Sequence, residues 1–188
     1  MAALASTAFA ADFSITGQAT TNASRIWPVI GAEIDLGNVD ILFGFSLGIT
    51  INKENKGLIN EDRKTYWELG FYGGVAPEID ISSKVSISFP ILFDFTHFGE
   101  KIKYKNGTPA NNIVKKIGYN RFAIDVGARF YFNITEKWGV FSGIRVSPFS
   151  IYTQRKATTF GGASGKDGYV DTYFFRAGYI DLGVKYTF

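Results

Sequence analysis

Nine charged side chains stand out because they interrupt runs of small and neutral residues. They are the acids Glu33, Glu68, Asp94, Asp125 and Asp181 and the bases Arg121, Arg129, Arg145 and Lys185. Carboxylates held near bases in a confined space have two uses: acid–base catalysis, or ion pairs that neutralise one another. The near balance of five acids against four bases favours pairing. Few other groups could do chemistry. The chain has no cysteine and a single histidine, His97. Disulfides, thiolate nucleophiles, cysteine-ligated zinc and multi-histidine metal sites are therefore excluded, and no metal or cofactor is expected. No phosphate loop, nucleophile elbow or calcium loop is present. His97, in Phe95-Thr96-His97-Phe98-Gly99, shares the apolar side of its segment. A catalytic role there needs serine and acidic partners, and no His-x-Ser pattern lies near it.

The elements that must position these residues read as strands. Among 188 residues there are 18 Phe, 10 Tyr, 3 Trp and 21 Gly but only 5 Pro, and 46% of the chain is apolar. That composition suits strands and turns, and it is too hydrophobic for a disordered chain. No run of about 20 apolar residues could form a spanning helix. From Asp12 onward the pattern has period two. Phe13 and Ile15 alternate with Ser14 and Thr16. Ile30, Ala32 and Ile34 alternate with Val29, Gly31 and Glu33. Val39 to Ile51 is the longest such run. The same alternation recurs over 65–75, 85–96, 121–132, 138–153 and 179–188. Gly37-Asn38, Pro77 to Ser83 and Asn133 to Lys137 read as short turns. Segments 52–64, 99–119 and 154–168 read as longer loops. Pro148 marks a bulge or change of register. The result is eight antiparallel strands in one domain over 12–188. Residues 1–11, small and uncharged with Ala8-Phe9-Ala10, read as a remnant of an export signal.

One face of each strand is nearly all Ile, Val, Leu and Phe. The other carries Gly, Ser, Thr, Tyr and the nine charges. Eight strands make a barrel just wide enough for side chains to fill. Glycines 44, 48, 70, 74, 127, 143 and 183 fall on the polar face, where space would be scarce. These observations predict an all-β, eight-stranded, up-and-down transmembrane barrel with its greasy face outward. Its lumen is plugged by Tyr66, Tyr72, Arg121, Arg129 and Tyr131. The inverted arrangement would be a soluble lipocalin-like barrel.

The last residues, Asp181-Leu-Gly-Val-Lys-Tyr-Thr-Phe188, are the most specific motif. Asp181, Gly183, Tyr186 and Phe188 resemble the C-terminal assembly signal of bacterial outer-membrane proteins. By strand count and loop plan the chain resembles small eight-stranded members of that class: the transmembrane domain of OmpA, OmpX and OmpW. The resemblance implies an outer-membrane location with both termini periplasmic and contact with outer-membrane lipids. It also implies recognition by the barrel assembly machinery.

The longer loops carry most of the positive charge. Segment 99–119 holds Lys101, Lys103, Lys105, Lys115 and Lys116 against Glu100. Segment 154–168 holds Arg155, Lys156 and Lys166 against Asp167. A basic rim suits anionic lipid headgroups or acidic polymers on a host surface. The expectation is a monomeric, non-enzymatic surface protein that binds no nucleic acid. Its role is envelope integrity or surface contact, with a narrow channel for small, even apolar, solutes as the alternative.

Overall fold

The structure, a computed structural model, describes residues 11–22, 25–54, 62–104, 113–160 and 163–188. The export-signal reading of the first residues and the position of Lys105 lie outside them. Nine strand segments form one sheet: β1 Asp12–Asn22, β2 Arg25–Asp35, β3 Val39–Glu54, β4 Asp62–Ser82, β5 Val85–Ser88, β6 Ile91–Tyr104, β7 Ile113–Asn133, β8 Trp138–Phe160 and β9 Ala163–Thr187. Segments β5 and β6 share one place in the sheet. Both pair with β4 on one side and β7 on the other. Pro90 divides them, because its ring nitrogen has no hydrogen to give the ladder. The amides of Phe89 and Gly127 bridge the break, donating to the carbonyls of Pro77 and Pro90. The sheet therefore has eight antiparallel positions, and it closes where β9 pairs with β1.

The closure can be traced through facing residues. From Gly70 on β4 the path runs through Ser46, Val29, Gln18, Gly183, Phe141, Tyr131 and Ser86. It returns to β4 at Asp80, ten residues from Gly70. Such a stagger tilts the strands by roughly 35–45° and is what lets a twisted sheet close without an edge. Two glycines make room inside. A Cβ on Gly44 would collide with the Tyr72 ring, and one on Gly183 with the Phe141 ring.

The orientation is settled by burial. Phe43, Ile91 and Phe130 are 50%, 46% and 53% exposed, whereas Arg129 and Asp125 are 0%. The apolar face is outside and the charged face is inside, which excludes the lipocalin-like arrangement. Leu42 and Leu92 are large aliphatics that turn inward, packing beside Val29, Tyr72 and Ala76.

Two expectations need correction. Pro77 to Ser83 is not a turn: β4 runs on to Ser82, and the turn is Ser83-Lys84. The described parts of the three long loops are strand. Segment 52–64 is shortened by β3 and β4, 99–119 by β6 and β7, and 154–168 by β8 and β9. Ladder pairing overrides the weak strand propensity of their Lys, Gly and Asn residues. Facing pairs such as Phe98 with Tyr119, their rings 4.8 Å apart, hold the extensions together. The expectation at Pro148 is met, because register slips between Ser147 and Phe149 on β8. Opposite it β9 carries one extra residue between Phe174 and Ala177, and exposed Phe175 there takes a positive φ of 52°.

Candidate functional site: the lumen and the far rim

The inward positions of β2 and β6 to β9 place acids and bases alternately along the barrel axis. Lys185 Nζ lies 3.1 Å from Glu33 Oε2, and Arg129 Nη1 donates to Glu33 Oε1 at 3.4 Å. Arg129 Nη2 lies 3.8 Å from Asp181 Oδ2. Arg145 grips Asp181 with two bonds, Nε to Oδ2 at 2.6 Å and Nη2 to Oδ1 at 3.0 Å. It also donates through Nη1 to Asp125 Oδ2 at 3.3 Å. Arg121 then joins Asp125 at 3.0 Å to Asp94. The resulting ladder, Lys185–Glu33–Arg129–Asp181–Arg145–Asp125–Arg121–Asp94, balances four cations with four anions. Glu68 faces the same lumen, in the wall of the space above the ladder.

Neutral groups complete the packing. Thr20 donates to Asp181 at 2.8 Å, Tyr131 to Glu33 at 3.0 Å, and Ser147 to Asp125. Arginine planes lie against rings: Arg129 over Phe141 at 5.2 Å, Arg145 over Tyr72 at 5.5 Å and Tyr179 at 5.4 Å. Charges taken out of water cost several kcal/mol each unless paired and hydrogen-bonded. Here the bidentate contact and the shared carboxylates supply that compensation. The arrangement fills the barrel.

Sequence reasoning placed all nine charges on the inner face but missed several of their neighbours. Asp40, fully buried near the short turns, stands on the inner parity of β3, so alternation alone would have found it. Gln18, which accepts from Arg129 at 3.3 Å, and Thr20 carried the same signal. Ser147 carried none, because the bulge beside it moves the register. Of the residues expected to plug the lumen, Tyr72, Arg121, Arg129 and Tyr131 are buried and Tyr66 is half-buried.

Above the ladder, away from the short turns, a cavity of about 270 Å³ remains. Arg121, Arg145 and Asp125 form its floor. Trp27, Phe98 and Tyr179 stand in its walls, with the Trp27 and Tyr179 rings edge to face at 6.1 Å.

The C-terminal residues divide between two environments. Asp181 and Gly183 belong to the lumen. Tyr186 and Phe188 lie outside in an aromatic cluster at the short-turn end. Tyr186 packs on Trp138 at 4.9 Å, and Phe188 on Phe13 at 5.6 Å. The predicted basic patch spans both faces of the strand extensions. Register places Lys101, Lys103, Lys116 and Arg155 on the outward parity, and Lys115 and Lys156 on the inward one.

His97 faces outward, near the top of the apolar belt. Its Nδ1 is hydrogen-bonded to Asn120 Oδ1, and Asn120 Nδ2 donates to Thr153 Oγ1 at 3.1 Å. The Trp67 ring lies 4.7 Å away. The partners of the imidazole are an amide and an indole. Neither is the acid or the nucleophile that general-base catalysis would use.

A closed, tilted, eight-stranded sheet with its apolar side chains outward and a polar packed lumen is the fold of small outer-membrane β-barrel proteins. Among solved structures the chain is similar to a major outer membrane protein of Thermus thermophilus. The TM-score is 0.63 at 10% identity, covering 95% of this chain and 100% of that one. The outer membrane protease OmpT of Escherichia coli gives a TM-score of 0.46 at 11% identity, covering 95% and 96%. CarO of Acinetobacter baumannii gives 0.44 at 10% identity, covering 93% and 97%. At these identities the likeness concerns the fold. No family model matches the chain, and no curated protein does.

Proposed function

We propose that the chain is an integral outer-membrane barrel that carries out no chemistry and conducts no solute. It presents basic strand extensions at the cell surface for envelope integrity or contact with anionic surfaces. The carrying observation is the ladder of eight charged groups across the lumen, with Arg129, Asp125 and Asp181 fully buried, beside a belt that water would not tolerate. Soluble monomers rarely expose contiguous apolar patches beyond a few hundred Å². Here exposed Phe, Ile, Leu and Val ring the barrel on every strand position. Lipid is the solvent that suits them, and a sheet closed by β9 on β1 has no open edge there. The short turns and both ends of the sheet then face the periplasm. The Tyr186–Phe188–Trp138 cluster forms the inner aromatic girdle, and the assembly machinery reads the strand that carries it.

The partner of the basic extensions is anionic, and the protein acts as a monomer. The His97–Asn120–Thr153 chain marks the wet edge of the belt in this reading. Planar-bilayer recording tests the sealed lumen: pure refolded protein is expected to give no stable unitary currents. Reproducible conductance steps would replace the plugged barrel with the channel.

A further inference from the structure

The outer wall of the barrel changes character row by row toward the far end. Facing residues define the rows. Phe71, Phe95, Phe122 and Ile151 form the last apolar one, with successive Phe rings 5.0 and 4.8 Å apart. Next come Leu69, His97, Asn120 and Thr153. Above them lie Trp67, Gly99, Gly118 and Arg155, and above those Thr65, Lys101 and Lys116. Successive rows rise by roughly 5 Å along the barrel axis, from two residues of strand and the tilt. The cations thus stand roughly 10 to 15 Å beyond the last apolar row, at the depth of headgroups.

The third row is hollow. Gly99 and Gly118 face each other across β6 and β7 with no side chains. The Trp67 indole lies against Gly99, where a Cβ would collide with it. Around this bare floor runs a groove of about 870 Å³, bordered by Trp67, Lys101, Lys116 and Arg155. Charge is sorted by face. The acids Glu68, Glu100, Asp167 and Asp171 fall on the inward parity of their strands; Glu100 and Asp167 border the groove from that side, and the cations on the outer wall outnumber them. Among the described residues, Lys101, Lys116 and Arg155 form no ion pair with an acid.

We infer that this groove is a binding site for the phosphorylated headgroup of a lipid in the surrounding leaflet. The inference rests on the membrane reading above and goes beyond a generally basic rim. The phosphate sits between Lys101, Lys116 and Arg155. The remaining headgroup lies over Gly118 beside the Trp67 indole that covers Gly99, and the acyl chains descend over the His97 row onto Phe95 and Phe122. A soluble polyanion would engage the same cations, but it would gain nothing from a site that opens downward onto an apolar wall.

The test is native mass spectrometry of the full chain refolded in zwitterionic detergent. The probes are dioleoyl phosphatidic acid, dioleoyl phosphatidylcholine and heparin. Phosphatidic acid should be retained in preference to phosphatidylcholine. Simultaneous Lys101→Gln, Lys116→Gln and Arg155→Gln should weaken retention by about tenfold or more, since each surface cation contributes appreciably to anionic-lipid binding. Gly118→Leu keeps every charge and fills the floor, where the only near neighbour of a Cβ is His97 Cε1 at 3.9 Å. It should weaken retention as well. Lys84→Gln with Lys137→Gln, at the other end, should not. Several outcomes would overturn the site: equal retention of the two lipids, normal retention by the triple variant or by Gly118→Leu, or heparin binding without lipid binding. Heat-modifiability on a gel monitors the fold of each variant. Wild type that folds as a barrel but retains no phosphatidic acid refutes the groove alone. Wild type that never forms a heat-modifiable barrel refutes the membrane reading with it.

Discussion

The two ends of this barrel are built on different principles. At the short-turn end every strand position has two neighbours, and the lumen is packed to exclusion around Glu33, Arg129 and Asp181. At the far end the wall is unequal. Strands β1 and β2 have 11 residues each, while β8 and β9 have 23 and 25. Pairing of β9 with β1 stops at Thr21 and Ile180, so 163–179 of β9 pairs with β8 alone. The lower half is therefore a closed cylinder held by buried charge. The upper half is an open sheet, β3-β4-β6-β7-β8-β9, held by strand pairing and ring contacts such as Tyr152 on Tyr173 at 5.2 Å. An exposed sheet edge invites aggregation, and charged residues along it guard against that. Lys166, Asp167 and Asp171 stand on this stretch of β9.

The difference predicts that substitutions in the lower lumen are costly and that those in the extensions are cheap. Arg145 is the strongest probe, because it bridges Asp181 and Asp125. Arg145→Met removes the bidentate partner of Asp181 and one of the two cations on Asp125, in a buried network. Loss of one partner from a buried ion network costs about 3–5 kcal/mol. Urea unfolding in detergent, followed by the gel shift, should show a loss of that size. Lys103→Gln, exposed on the extension, should fall within about 0.5 kcal/mol of wild type. Comparable losses for the two would dissolve the contrast between the ends.

The belt supplies the next effect. Phe43 and Ile124 face outward at positions well inside the apolar band. An arginine at either should cost about 2–4 kcal/mol if it faces the bilayer midplane. Folding into vesicles of known thickness measures this. A neutral result at both sites would mean that the belt is not in hydrocarbon, whatever the lumen does.

How much of this was legible follows from what period two can encode. Alternation identified the inner and outer faces of all eight positions, including the inward Leu42 and Leu92, which hydrophobicity alone would have sent outside. It located the charge ladder because arginine and aspartate on the small-residue face have nowhere else to go. It failed where pairing decides and composition does not. Residues Gly99 to Tyr104 look like loop, yet Gly99 pairs with Gly118 and Tyr104 with Ile113 because the strands beneath them are already aligned. Pro77 reads as a turn but lies within β4, where its carbonyl accepts from Phe89. The outer groove was invisible for a further reason. Trp67, Gly118 and Arg155 are far apart in sequence, and only the register brings them to one row.

The smallest effect sharpens the comparison most. Phe98 and Tyr119 stack at 4.8 Å with planes 21° apart, just above the belt. Both are half-buried, so Phe98→Ala removes an aromatic pair worth about 0.5–1.5 kcal/mol without opening the lower lumen. If the open sheet of the extensions is stabilised independently of the closed cylinder, amide exchange should accelerate across β6 and β7 beyond Gly99 and Gly118. The amides of Asp125, Arg129 and Asp181 should keep their protection, because local openings need not cross the ladder. If protection falls equally throughout, the barrel unfolds as one unit from end to end, and its far half is as much a part of the closed cylinder as the half that holds the charges.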